Sequence, residues 1–272
     1  MAFTTTALHA QELSGTLQQI QKTGKIRIGY RDDRPPMSFL NRDKVPVGYS
    51  IDLCRLIADQ VEKTVAADMI VEYVPVTAEN RFDALVDNRI DLLCGATTKT
   101  VSRGERVDFT QLTFVTGASF MTLKGTKIRN NFDGKKIGVV KGTTTLAELN
   151  KRLEEAGTKA EVVMFDSSDE ALTALDKALI DAFAADQVVL IGLAMTSAAP
   201  GNYAVLPELF SYEPFALAVR RNDADFRLVA DRVLAELYRS EKILTIYEKW
   251  FGGFSQRSSA FDAMVQLNAI PD

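Results

Sequence analysis

Lys136-Ile-Gly-Val-Val-Lys-Gly-Thr-Thr-Thr145 is the stretch on which the fold turns. Its branched apolar centre reads as a strand, Lys141-Gly142 as a turn, and the threonines as the start of a helix over Leu146 to Glu155. Glu161-Val-Val-Met-Phe165 then reads as a strand, Asp169 to Lys177 as a helix and Ile180 to Ala185 as a strand. The same succession stands earlier in the chain. Lys25-Ile-Arg-Ile-Gly-Tyr30 alternates polar and apolar residues, as a strand does, and runs into the turn-rich Arg31-Asp-Asp-Arg-Pro-Pro36. Gly48-Tyr49-Ser50 opens a helix with Ile51, Leu53, Leu56, Ile57 and Val61 at helical spacing. Ile70 to Pro75 is a strand, Arg81 to Asp87 a short helix and Ile90 to Cys94 a third strand. Strands alternating with helices imply an α/β fold with mostly parallel sheets flanked by helices.

The architectural unit thus occurs twice without a sequence repeat. Two apolar, β-rich runs, Thr113 to Leu123 and Tyr212 to Val219, read as extended crossovers between two lobes. Residues 23–118 with 217–254 are expected to form lobe 1 and residues 119–216 lobe 2. Residues 1–22 are an N-terminal segment, and 255–272 a C-terminal tail read only as a surface-packed terminus. The strongly helical stretch Asp225 to Trp250 is predicted to pack back on lobe 1. In open α/β sheets small molecules bind beyond the carboxyl ends of strands, so the segments just after the strands are where a site is sought.

Composition removes several function classes. A net charge of −4, with basic residues spread among acids, argues against a nucleic-acid partner. No segment has the run of about 18–20 apolar residues that a membrane-spanning helix needs. The chain has one histidine, His9, and two cysteines, Cys54 and Cys94. That set does not make a structural zinc site, and His9 lies in a polar N-terminal stretch, unsuited to a Ser-His-Asp or Cys-His arrangement. No metal and no cofactor are expected. Cys54 falls in a helical pattern and Cys94 at a strand end, and two buried free thiols are expected in preference to a disulfide. Ala7-Leu-His-Ala10 resembles the cleavage region of a secretory signal, although a basic n-region and an apolar h-region do not precede it.

Three loops carry the chemistry. Cys94-Gly-Ala-Thr-Thr-Lys-Thr-Val-Ser-Arg103 follows a strand, with Thr98 offering a hydroxyl and Arg103 a planar fork that matches a carboxylate. The plain alternative is a polar loop with Arg103 in solvent. At Gly142-Thr143-Thr144 the N–H groups of a helix start attract an anion, although ordinary capping by threonine would look the same. The Gly-Lys-Ser/Thr ending of a phosphate loop is missing, so the anion is smaller than a nucleotide. Asp186 closes a strand and suits an ammonium group, with a helix cap as its plain alternative. Together, donors for a carboxylate and a carboxylate for an ammonium make a receptor for an α-amino acid zwitterion.

Gly48-Tyr49-Ser50-Ile51-Asp52, Asp108-Phe109-Thr110 near Ser102-Arg103, and Gly138 to Thr144 resemble the periplasmic polar amino-acid-binding proteins of ABC importers. The resemblance covers roughly residues 23–253. Within the family it is closest to the glutamate/aspartate-binding branch, through Gly29-Tyr30-Arg31, Thr77 to Arg81, Cys94 to Thr98, Arg103 and Gly142 to Thr144. It implies a type II periplasmic-binding-protein fold: two α/β lobes joined by two crossover strands. It further implies a monomer outside the cytoplasm that closes on a free amino acid and delivers it to a membrane permease. Arg103, Thr98, Thr143 and Thr144 would hold the α-carboxylate, Asp186 and the Ala96 carbonyl the ammonium, and Arg31 and Arg81 the side-chain carboxylate. The plain reading of Arg31 is a surface charge among Asp32, Asp33 and Arg34. The chain departs from that branch in lacking a serine near Ala96 and a histidine in the Asp166-Ser-Ser-Asp169 loop. An acidic ligand is expected, with an amide as the variant those losses leave open. Two other classes share the scaffold: a cyclohexadienyl-dehydratase-like enzyme using Asp186, Glu79 or Glu213 as general acid, and a sensing module for a membrane receptor.

Overall fold

The first strand, β1 (Lys25–Tyr30), follows helix α1 (Gly15–Thr23) and lies inside a five-strand sheet, one place from its edge. This computed structural model describes residues 12–126, 128, 132–253 and 256–271; His9 and the Ala7–Ala10 run, together with Ser255 and Asp272, lie outside the described residues. After β1 come three short strands, β2 (Asp33–Arg34), β3 (Ser38–Leu40) and β4 (Pro46–Val47), which pair antiparallel into a small sheet. Helix α2 (Tyr49–Val65) leads to β5 (Ile70–Pro75), α3 (Arg81–Val86) and β6 (Leu92–Cys94). Strands β5, β1 and β6 pair in parallel.

Two long strands then carry the chain between halves. β7 (Val107–Thr116) ends at Gly117, and β8 (Ala118–Leu123) continues into a second sheet. That sheet takes β9 (Lys136–Val140), β10 (Glu161–Phe165), β11 (Ala182–Asp186) and β12 (Tyr203–Val205), in the order β10-β9-β11-β8-β12. Helices α4 (Thr144–Glu155), α5 (Ser168–Asp176) and α6 (Gln187–Thr196) alternate with its strands. β13 (Glu213–Arg220) brings the chain back and completes the first sheet as β5-β1-β6-β13-β7. In each sheet three strands pair in parallel, and antiparallel pairing adds the rest: β13 with β6 and β7 in the first, β8 with β11 and β12 in the second. The expected parallel strands are present, and the crossover runs form strands of the sheets themselves. Glu213 to Ala216, assigned to the second lobe from sequence, pair with β7 in the first sheet.

Burial follows the two-residue period of strands. In β13, Phe215, Leu217 and Val219 face the larger apolar core, while Ala216 and Ala218 face a second one with Phe82, Leu85 and Leu93. In the other half Phe183 and Ala185 of β11 face the larger core, and Ala182 and Ala184 face a third with Phe120, Ile137 and Leu149. Helix α2 buries Ile51, Leu53, Cys54, Ile57, Ala58, Val61 and Val65, whereas Leu56, also expected from spacing to face the core, is exposed on the other side of the helix. The helical stretch Asp225 to Trp250 is two helices, α7 (Ala224–Arg239) and α8 (Lys242–Phe251), broken where Glu241 takes a φ of 57°.

Two expectations need correction. Cys54 and Cys94 are joined in a disulfide, with Cα atoms 6.4 Å apart and both residues fully buried, so the chain has no free thiol at either position. Sequence spacing does not reveal that the buried face of α2 meets the end of β6. The C-terminal tail is also more than a surface terminus. Helix α9 (Ser259–Asn268) buries Phe261 and Met264, and Phe261 packs on Tyr247 and Phe114 with ring centroids 4.6 and 5.5 Å apart.

Candidate functional site

The carboxyl ends of the strands in both sheets face one cleft. Arg31, Arg34, Arg81, Ala96, Thr98, Arg103, Thr143, Thr144 and Asp186 line it. All eight residues singled out from sequence are brought together there, and Arg34 is the ninth. No group of His, Cys, Asp and Glu suited to a metal ion occurs among the described residues.

The first sheet supplies the arginines and Thr98. Arg31 follows β1 directly, and its N–H donates to Ser38 Oγ (2.9 Å), which fixes the turn. Arg31 is buried, not a surface charge. Its Nη2 donates to Asp33 Oδ1 at 2.8 Å, with both side chains about 95% or more enclosed. Burial pulls the Arg31 guanidinium down to about 10, the neighbouring Arg34 adds to that, and Asp33 opposes it. Arg81 begins α3, donates to the carbonyls of Ala78 and Gly142, and lies 4.6 Å from the Phe82 ring centroid. Burial, and then Arg103, Arg31 and Arg34, hold its pKa well below the ordinary guanidinium value. Arg103 donates to the Thr98 carbonyl at 2.8 Å and lies 5.3 Å from the same Phe82 ring centroid. Burial lowers its pKa, while Glu213 and Asp186 pull it back up.

Thr98 is placed by β13. The N–H of Lys99 donates to the Pro214 carbonyl and the N–H of Ala216 to the Thr97 carbonyl, so residues 97–99 run beside the start of that strand. This brings Thr98 Oγ1 to 2.5 Å from Glu213 Oε2. The Glu213 carboxylate is buried, and it also accepts from Thr144 Oγ1 and Ser211 Oγ, each at 2.7 Å. Glu213 was named in the sequence only as a nominal acid. Its place at the first residue of a returning strand, opposite two threonine loops, emerges from tertiary pairing alone.

The second sheet supplies Thr143, Thr144 and Asp186. Thr143 caps α4, accepting from the Leu146 N–H while its hydroxyl donates to the Val140 carbonyl at 2.7 Å. Its side chain is thus committed to the cap, which leaves backbone N–H groups as what this helix start offers an anion. Asp186 ends β11 and makes no side-chain cap to α6. Its Oδ1 is enclosed and has no hydrogen-bond partner. Burial first, and the Glu213 carboxylate second, push its carboxyl up to about 7, against Arg34 and Arg103. Three guanidinium nitrogens nearby are orphaned in the same way, Nε of Arg31, Nε of Arg81 and Nη2 of Arg34. Buried donors and acceptors are ordinarily satisfied, so unmatched groups of both signs set this cleft apart from the rest of the interior.

The halves meet closely around the cleft. Ser168 N–H, at the start of α5, donates to Asp33 Oδ2 at 2.7 Å. Thr98 and Thr144 hydroxyls approach to 3.2 Å, and Arg81 reaches the Gly142 carbonyl at 3.1 Å. Gly192 of α6 lies against the Pro35 carbonyl, where a Cβ would come within 2.2 Å, so only glycine permits that approach. The structure is a closed form.

Comparison with known proteins agrees with this geometry. Residues 26–253 match the family of bacterial extracellular solute-binding proteins, family 3. The chain is 29% identical over 245 residues to the glutamate/aspartate import solute-binding protein of Escherichia coli, covering 89% of this chain and 81% of that protein. It is 30% identical to the L-glutamate/L-aspartate-binding protein of Pseudomonas aeruginosa, with 89% and 82% covered. Among solved structures, an ancestral arginine-binding protein bound to arginine is similar, with a TM-score of 0.75, 30% identity, and coverage of 84% of this chain and 99% of that one.

Proposed function

The chain belongs to the bacterial extracellular solute-binding proteins of family 3, and from that premise we propose that it captures an acidic amino acid, glutamate or aspartate, in its closed cleft. It releases the ligand unchanged to the permease of an ABC importer, outside the cytoplasm. The observation that carries the reading is the matching of orphaned charges: Asp186 Oδ1 on one side, Arg31 Nε and Arg81 Nε on the other. A zwitterion with a further carboxylate complements that set.

Arg103, Thr98 and the N–H groups at the start of α4 receive the α-carboxylate. Asp186 and the Ala96 carbonyl receive the ammonium. Arg81 and Arg31 receive the side-chain carboxylate. Because these groups come from both halves, the ligand completes its hydrogen bonds only when the cleft shuts, and its binding energy drives closure. The contacts Asp33–Ser168 and Thr98–Thr144 join the halves beside the cleft and add to what holds it shut.

A melting-temperature screen against the twenty amino acids tests the proposal, since a ligand that binds only the folded form raises stability by mass action. Shifts of several degrees are expected with glutamate and aspartate. A shift with another amino acid, and none with these two, would overturn the acidic reading.

A further inference from the structure

Arg34 is the guanidinium in the cleft whose hydrogen-bond donors are least met. Its side chain is 4% exposed, its closest acidic atom is Asp33 Oδ1 at 3.7 Å from Nε, and its Nη2 has no hydrogen-bond partner. Arg31 takes the better place on that carboxylate, at 2.8 Å. Arg81 and Arg103 at least donate to backbone carbonyls. An enclosed guanidinium with donors unmet is costly, and an oxyanion placed among those donors removes the cost.

Charge balance gives the same answer independently. Four guanidinium groups line the cleft, against the carboxylates of Asp33, Asp186 and Glu213. With Asp186 ionised to meet an ammonium group, one positive charge is left over among these enclosed groups; the other carboxylates acting on Arg31 and Arg34, those of Asp32 and Asp169, are exposed to solvent. A neutral amino acid leaves it standing; an amino acid with an anionic side chain cancels it. Arg34 stands on β2, next to Asp33, so it is held by a strand pair and not by a free loop. We propose that Arg34 contacts the ligand and is the residue whose charge makes the cleft select an anionic side chain over its neutral amide. This rests on the acidic-ligand reading above and adds a residue to it.

Titration calorimetry with L-glutamate, L-aspartate, L-glutamine and L-asparagine, on the unaltered protein and on Arg34→Gln, tests it. The unaltered protein is expected to bind the acids more tightly than the amides. In Arg34→Gln three guanidinium groups would face the three carboxylates. The acids are therefore expected to lose about a hundredfold in affinity or more, while the amides hold or gain. Arg34→Lys, which keeps the charge, is expected to restore part of the preference for acids. It also serves as the test should the glutamine variant fail to fold. An acid-to-amide ratio unchanged by Arg34→Gln, an equal loss for all four ligands, or no restoration by lysine would overturn the assignment and leave the acidic reading intact. Failure of the unaltered protein to prefer acids would overturn both.

Discussion

Asp186 makes the cleft sensitive to pH in a direction that can be worked out. Its carboxyl is pushed up to about 7 by burial and by Glu213. An ammonium group needs the carboxylate, so a ligand arriving at low pH must first expel a proton. About one molecule in a hundred has Asp186 ionised near pH 5, against about nine in ten near pH 8, since each pH unit below the pKa is a tenfold change. The dissociation constant for glutamate is therefore expected to rise about a hundredfold from pH 8 to pH 5. Over the same range Asp33, held at about 2, stays ionised and does not contribute. Calorimetry in buffers of different ionisation enthalpy is expected to show close to one proton released per ligand near pH 5, and little release near pH 8. The stability of the ligand-free protein has the opposite sign. The folded pKa of Asp186 lies above the unfolded value of 3.8. Its contribution is therefore fully present below that value and lost as pH rises through about 7. Equal affinity at pH 5 and pH 8, without proton release, would refute the role given to Asp186.

Arg103→Ala is expected to weaken binding of every amino acid by about a hundredfold or more, because it removes a partner common to all of them; unchanged affinity in calorimetry would contradict the α-carboxylate assignment. Asp33→Asn is expected to destabilise the protein by about 2 kcal/mol, the linkage value of a carboxylate held at about 2 in the folded state. That contribution is present above the unfolded value of 3.8 and lost as pH falls through about 2, and urea unfolding at neutral pH measures it. Replacing both Cys54 and Cys94 by serine opens a closed loop of sequence separation 40, expected to cost about 4 kcal/mol by the loop-entropy relation. The expected fall in melting temperature is about 8 °C, and a fall of under about 2 °C would contradict it.

The parts of the fold carried by local pattern are legible in the sequence. Most of the stripe of α2, the alternation in β1, and the threonine cap of α4 each follow from spacing within one element. The segments after the strands are legible as cleft walls for the same reason, since strand direction fixes which ends converge. Long-range pairing is not legible. Cys54 and Cys94 each read as an isolated buried thiol, and only the docking of α2 on β6 brings them together. Phe261 reads as part of a polar tail until the aromatic pocket of Phe114 and Tyr247 is in place. Arg34 is hidden by its company: the run Arg31 to Pro36 reads as a solvated turn, yet only Asp32 of those residues is exposed.

A crystal structure of the protein with L-glutamate, and in parallel with L-aspartate, tests the central claim most directly. The account expects one ligand enclosed in the cleft, its α-carboxylate on Arg103 and Thr98, its ammonium on Asp186, and its side-chain carboxylate among Arg31, Arg34 and Arg81. A cleft that stays empty at saturating concentrations of both, or a ligand seated elsewhere on the protein, would contradict it.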